Sequence, residues 1–193
     1  MILPKKKKEF TVEEMIKMEN ELRDSELYSC QLSPDDPKLF EKLKLKVEYV
    51  DDMSDDNEAE LMPSMDERYL GLIRLRKELK KYKFAYIHEV IHFIFDVGYG
   101  NKVEETFTRK RQGKTNSEEE QRINYKTAAY IMEYNQICSR LREYDNSRPK
   151  ADELKFISSL QKDYEQGEET VLRRIREVRR LEKAGYATVS SFA

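Results

Sequence analysis

The chain holds two histidines in 193 residues, and they stand four apart with a glutamate after the first: His88, Glu89 and His92, in the stretch HEVIH. About one random placement in a hundred sets two histidines at that spacing, and requiring the glutamate lowers this to roughly one in a thousand. Residues i and i+4 share a helix face, so the two imidazoles can converge on one ion. The flanking FAYI and FIF are apolar nearly all round, which marks a buried helix. Three polar side chains in such a helix cost about 1–3 kcal/mol each when unpaired. A zinc ion would satisfy both histidines at once. Glu89, about 100° round the helix from His88, would then reach a water on the metal. The competing reading is a pair of core histidines donating to backbone carbonyls, with Glu89 in a buried ion pair.

Catalytic zinc takes three protein ligands and keeps one open position. The chain has no other histidine, and Cys30 and Cys138 are far apart and in no CxxC pattern, so a carboxylate is expected as the third ligand. The long metzincin motif needs Gly at 95 and His at 98, where this chain has Phe95 and Gly98. Downstream, SEEEQRINYKTAAYIMEYNQICSRL offers Glu118, Glu119 and Glu120. At about 100° per residue the apolar stripe runs through Ile123, Thr127, Ile131, Tyr134, Cys138 and Leu141. Glu120 falls in the middle of that stripe, Glu119 at its edge and Glu118 opposite. Ser117 and Glu120 also have capping-box spacing, and closing that box is the commonest role for such a glutamate. The core-facing angle, with a histidine helix that lacks a carboxylate, favours Glu120 as the ligand.

These residues need elements to hold them. Thr11 and Glu14 have capping-box spacing and open a helix to about Leu22. A second helix is expected from DDPKLFEKLKL, with Pro37 in its first turn. KVEYV at 46–50 alternates as a strand, an acidic loop covers 51–59, and two strands joined by a turn near 64–67 follow. In the second of these, Ile73 and Leu75 alternate with Arg74 and Arg76, as in a half-buried or edge strand. The histidine helix runs from about Leu79 to Val97 and ends at the glycines of VGYGNK. After a polar loop at 109–116, one helix runs from Ser117 to about Arg142. DNSRPK breaks it, and helices at 152–163 and 168–183 precede a small-residue tail. The class is α+β.

Hydrophobic and charged residues are each 38% of the chain and the net charge is −2, which argues against non-specific nucleic-acid binding by the whole chain. The two lone cysteines fit a reducing compartment. No apolar run approaches the roughly 18–20 residues of a membrane span, and MILPKKKKEF has no apolar core of a signal peptide. A cytoplasmic protein with no membrane partner is expected.

The HEVIH and EQRINYKTAAYIME segments together resemble the ImmA/IrrE family of zinc metallopeptidases. That family pairs an HExxH helix with a helix of the form E-x-x-A-N-x-F-A-A-x-L-L-M-P, matched here at Glu120, Asn124, Ala128, Ile131 and Met132. LGLIRLRKEL before the histidines and LQKDYEQGEETVLRRIREV after them also look like the family, so the resemblance covers about residues 45–183. Lys126 and Thr127 replace its Phe-Ala, Glu133 replaces its Pro, and Asp96 stands where many members carry a further His.

The resemblance implies a zincin-like domain in which a small twisted sheet packs on the HExxH helix and a glutamate-bearing helix, followed by a C-terminal helical pair. It divides the chain into an N-terminal helical segment (1–44), a metallopeptidase core (45–145) and a helix-turn-helix-like pair with its tail (150–193). It implies Zn2+ on His88, His92 and Glu120, Glu89 as general base, and Asn124 in a supporting position. The activity implied is that of an endopeptidase that cuts a helix-turn-helix repressor and so releases the genes it holds down. The strand at 70–76 would receive the substrate as an added strand. Tyr99, Tyr125, Tyr130 and Tyr134 are available as oxyanion donors.

Two other readings compete. The pair at 152–183 has the proportions of a DNA-binding motif, and Arg173, Arg174, Arg176, Arg179, Arg180 and Lys183 make its last helix basic. Glu168, Glu169, Glu177 and Glu182 among them equally describe a solvated charged helix. A zinc-bearing interaction module without peptidase activity is the other, and the intact Glu89 argues against it.

Overall fold

The computed structural model describes residues 9–54, 57–78, 82–110, 117–147 and 152–187. The basic run at 5–8, most of the polar loop expected at 109–116, the end of the break at 148–150 and the tail at 188–193 lie outside them. Helix α1 (Val12–Arg23) is capped as its sequence requires. Thr11 Oγ1 accepts from the Glu14 amide at 3.2 Å, and Glu14 Oε2 accepts from the Thr11 amide at 2.8 Å. Its apolar stripe buries Met15, Met18 and Leu22.

Single-turn helices α2 (Glu26–Ser29) and α3 (Leu39–Lys42) follow. The longer helix expected from DDPKLFEKLKL is therefore only the one turn of α3. Leu39 and Leu43 are buried, and the chain then turns at Lys44, in the left-handed region at φ 53, directly into the sheet.

Strands β1 (Leu45–Val50), β2 (Asn57–Met62), β3 (Gly71–Arg76) and β4 (Phe107–Lys110) form one mixed sheet in the order β1-β3-β2-β4. β1 runs parallel to β3, and the other pairs are antiparallel. β3 is thus central, not an edge. Its alternation reports that one face is buried, which is independent of its place in the sheet. Ile73 and Leu75 point into the core, while Arg74 pairs with Asp52 and Glu60 on the other face. Arg76 is also buried, its guanidinium donating to the carbonyls of Met53, Ser54 and Asn57. With β1 and β2 on its two sides, β3 has no edge left for a substrate strand.

β4 was not expected, since residues 109–110 read as loop. Gly71 opens β3 where the chain must approach Val103 closely: a Cβ there would lie 2.5 Å from Val103 Cγ2.

Helix α4 (Tyr82–His92) lies against β2, β3 and β4 and continues without a break into a π-helix (Phe93–Gly98), a widened turn that the sequence does not announce. Gly98 ends it at φ 90, a conformation that favours glycine.

α5 (Glu118–Ile131) packs beside α4. The single helix expected from Ser117 to Arg142 is two. Met132 leaves helical geometry at φ −117, ψ 74, and Glu133 is extended before α6 (Tyr134–Asn146) begins. The apolar stripe survives the break, with Ile123, Thr127, Ile131, Tyr134, Cys138 and Leu141 all buried.

α7 (Glu153–Tyr164) and α8 (Glu168–Lys183) complete the chain, joined by a turn through Glu165 at φ 54. α8 packs on α1, α5, α6 and α7. One apolar core runs from Phe10 to Leu181, through all three of the expected segments. The architecture is α+β, helices around a small four-stranded mixed sheet.

Arg174, at the centre of the α8 interface, is fully buried. Its Nη1 donates to Glu19 Oε1 of α1 at 2.7 Å, and its Nε to the carbonyl of Met132 at 3.0 Å. Tyr125 of α5 donates to the same Glu19 oxygen at 2.9 Å. The arginine therefore joins the first helix, the end of the Glu120 helix and the last helix at one point. Among the other basic residues of α8, Arg179 pairs with Asp145 and Arg180 donates to the Phe10 carbonyl. Among the described residues no helix is long and apolar enough to cross a membrane.

Candidate metal centre

α4 presents His88 and His92 one turn apart, and α5 brings Glu120 against both. His88 Nε2 lies 3.0 Å from Glu120 Oε1, and His92 Nε2 lies 3.4 Å from Glu120 Oε2. The two Nε2 atoms are 3.2 Å apart. Ligands on a tetrahedral ion with bonds of about 2.0–2.1 Å lie roughly 3.3 Å from one another. The two imidazole nitrogens stand at about that separation, each faces one oxygen of the Glu120 carboxylate, and the donor set, two imidazoles and a carboxylate with ligand atoms within 4.8 Å of one another, can hold a metal ion.

Glu120 owes its position to the start of α5. Ser117 Oγ accepts from the Glu120 amide at 3.1 Å, so the hydroxyl half of the capping box forms. The Glu120 carboxylate, which would complete that box by turning back to the helix start, reaches across to the histidines. Asn124 donates to the Glu120 carbonyl at 2.8 Å, within the same helix turn. Glu118 faces away, half exposed and paired with Arg122.

Two further contacts hold the ring of His92. Asp96 Oδ2, from the π-helix, is 2.6 Å from Nδ1, and Phe107 of β4 stacks on the ring with centroids 5.3 Å apart. His88 stacks on Phe84 at 6.3 Å. The sequence reading gives Phe84 and Phe107 no place in the site and names Asp96 only as a departure from the ImmA/IrrE pattern. Asp96 carried a readable signal, since it follows His92 at the same four-residue spacing that joins the histidines. Phe107 carries none, because it lies outside every element the sequence predicts and β4 is set by its pairing with β2.

Glu89 is fully buried beside the ligands. Burial alone would lower the pKa of His92. The bonds to Asp96 and Glu120, with the charges of Glu89 and Glu120, outweigh it and raise the value to about 9. Burial likewise works against the Glu120 carboxylate, but its bonds to His88 and His92 prevail and hold it well below the usual range. In the metal-free protein the charge on His92 is thus favoured by the carboxylates around it.

Of the four tyrosines, three are committed elsewhere. Tyr125 donates to Glu19, Tyr130 to the Leu32 carbonyl and Tyr134 to the Tyr186 carbonyl. Their hydroxyls serve packing between helices and loops. Tyr99 is half exposed on the turn after the π-helix.

A cavity of about 750 Å3 opens on the Asp96 side, lined by Asp96, Val97, Asn101, Lys102, Glu104, Glu105 and Phe107. It adjoins the centre through Asp96 and Phe107, which both touch His92. No protein-family model matches the chain, and no curated protein matches its sequence.

Proposed function

We propose that the chain is a zinc-dependent endopeptidase with a zincin-like fold, acting on a helix-turn-helix repressor and so derepressing genes. One observation carries the reading: two imidazoles and a carboxylate converge closely enough to share one ion, with a buried glutamate next to the first histidine. A purely structural metal site has no use for that glutamate. The resemblance to the ImmA/IrrE family supports the substrate class.

His88, His92 and Glu120 would hold the zinc, which supplies a Lewis acid that acidifies water and polarises a carbonyl. Glu89 accepts the water's proton and passes it to the departing amine. Its burial keeps bulk water away and strengthens its electrostatic interactions. Among the described residues β4 pairs on one side only, with β2, so its outer edge offers the backbone groups an extended peptide needs. Phe107 ties that edge to His92, and the adjoining cavity gives the peptide room. Of the four tyrosines, Tyr99 retains the exposure an oxyanion donor requires. The contacts of Arg174, Arg179 and Arg180 support a docking role for the helical pair over DNA binding.

The test is incubation of the zinc-loaded protein with helix-turn-helix repressors, beginning with the product of the adjacent gene, followed by intact-mass measurement. Glu89→Gln, nearly isosteric but unable to take the proton, is expected to bind zinc and leave the repressor whole. A purified protein that takes up no zinc at pH 7.5, or a Glu89→Gln variant that cuts as fast as wild type, overturns the reading.

A further inference from the structure

An imidazole that binds a metal must present a bare nitrogen, and the partner of its other nitrogen decides which one that is. For His92 the geometry makes the choice. Asp96 Oδ2 lies 2.6 Å from Nδ1, a short distance that places an N–H on Nδ1 and a carboxylate in front of it. In the neutral ring that binds a metal, Nε2 is then the nitrogen with the free lone pair, and it is the one that faces His88 and Glu120, at 3.2 and 3.4 Å. Phe107 closes one face of the ring. Asp96 is about a quarter exposed, at 26%, so the pair is sheltered from most competing water. It stands in the π-helix that begins one residue after His92, and such widened turns are frequent at functional sites.

From this we infer that Asp96 is a positioning residue: it acts through His92, fixing the tautomer and ring orientation that the metal needs and making Nε2 a stronger donor. The inference rests on the metal-binding reading of the site. It assigns a function to the position where this chain departs from the ImmA/IrrE pattern by replacing a histidine.

The test compares wild type, Asp96→Asn and Asp96→Ala in three measurements: zinc affinity by chelator competition, the visible absorption of the Co2+-loaded protein, and melting of the metal-free protein. Asp96→Ala is expected to weaken zinc by about 10- to 100-fold. Asp96→Asn keeps an acceptor oxygen near Nδ1 without its charge, and should recover part of that loss. Both should shift the Co2+ bands, because the ring that Asp96 aims is itself in the ligand field. A residue that only stabilises the fold would move the melting temperature and leave the affinity and bands of the folded protein unchanged. If Asp96→Ala does not fold, the near-isosteric Asp96→Asn decides alone.

Zinc affinities within twofold of wild type, with unshifted Co2+ bands, overturn the role of Asp96 and leave the metal site standing. A wild-type protein that binds neither ion overturns both together.

Discussion

Replacing Arg174 by methionine should cost far more stability than replacing Arg179, although the two stand on the same basic helix. Arg174 is completely buried, and its loss leaves the Glu19 carboxylate, itself only 7% exposed, with no cation in the interior. It also strips the Met132 carbonyl of its donor at the end of the Glu120 helix. Breaking a buried pair from one side costs about 3–5 kcal/mol. For a chain of this size each kcal/mol lowers the melting temperature by roughly 2–4 °C. Arg174→Met should therefore melt roughly 6–20 °C below wild type. Arg179 and Asp145 are both 46% exposed, and water and salt screen such a pair to about 0.2–1 kcal/mol. Arg179→Met should stay within about 4 °C of wild type. Adding Glu19→Met to Arg174→Met should recover much of the loss, since it removes the stranded charge. Thermal unfolding followed by far-ultraviolet circular dichroism reads all of these. Equal, small shifts for the two arginine variants would mean that α8 is a free basic face, and the docking argument would fail.

Glu120→Ala should lower zinc affinity by an order of magnitude or more, while Glu118→Ala, losing only a half-exposed pair with Arg122, should bind zinc as wild type does. Equal affinities in a chelator titration would return Glu120 to a capping role. The raised pKa of His92, about 9 against an ordinary value near 6.5, stabilises the metal-free fold fully below pH 6.5, and that contribution disappears as pH rises through 9. Glu120, shifted the opposite way, stabilises it above about pH 4.5 and loses that effect as the solution is acidified. Melts in chelator should therefore fall between pH 7 and 9.5, whereas zinc-loaded protein, whose imidazoles are already neutral, should hold; parallel curves would contradict the assigned charges. Gly71→Ala forces a methyl onto the buried, β-branched Val103 and should cost about 1–3 kcal/mol, with relief on adding Val103→Ala. A double mutant no more stable than Gly71→Ala would place the strain elsewhere.

What could be read in the sequence was periodic. His88, His92 and Glu120 announced themselves through the 3.6-residue repeat, which turns spacing into direction, and the complete box at Thr11 and Glu14 marked a real helix start. Properties set by neighbours could not be read. Alternation in β3 told which of its side chains are buried but not that β1 and β2 flank it. The stripe from Ile123 to Leu141 keeps its phase across Met132, so it concealed the break. Phe107–Lys110 is a strand because β2 supplies partners, not because its residues alternate. Arg174 looks like its neighbours on α8 until Glu19, 155 residues away, is brought beside it.

The three donor residues come from two helices, and between His92 and Glu120 the chain passes through the π-helix and β4. An ion gripped at both ends would make this segment a closed loop, a cross-link that restricts the unfolded chain as well as joining α4 to α5. Its strength would vary with the free zinc concentration, because a ligand bound only to the folded state adds stability by mass action. Withdrawing zinc would then release the segment that contains β4, and the loosened strand would meet cellular proteases. Metal supply would in this way govern how long each molecule survives.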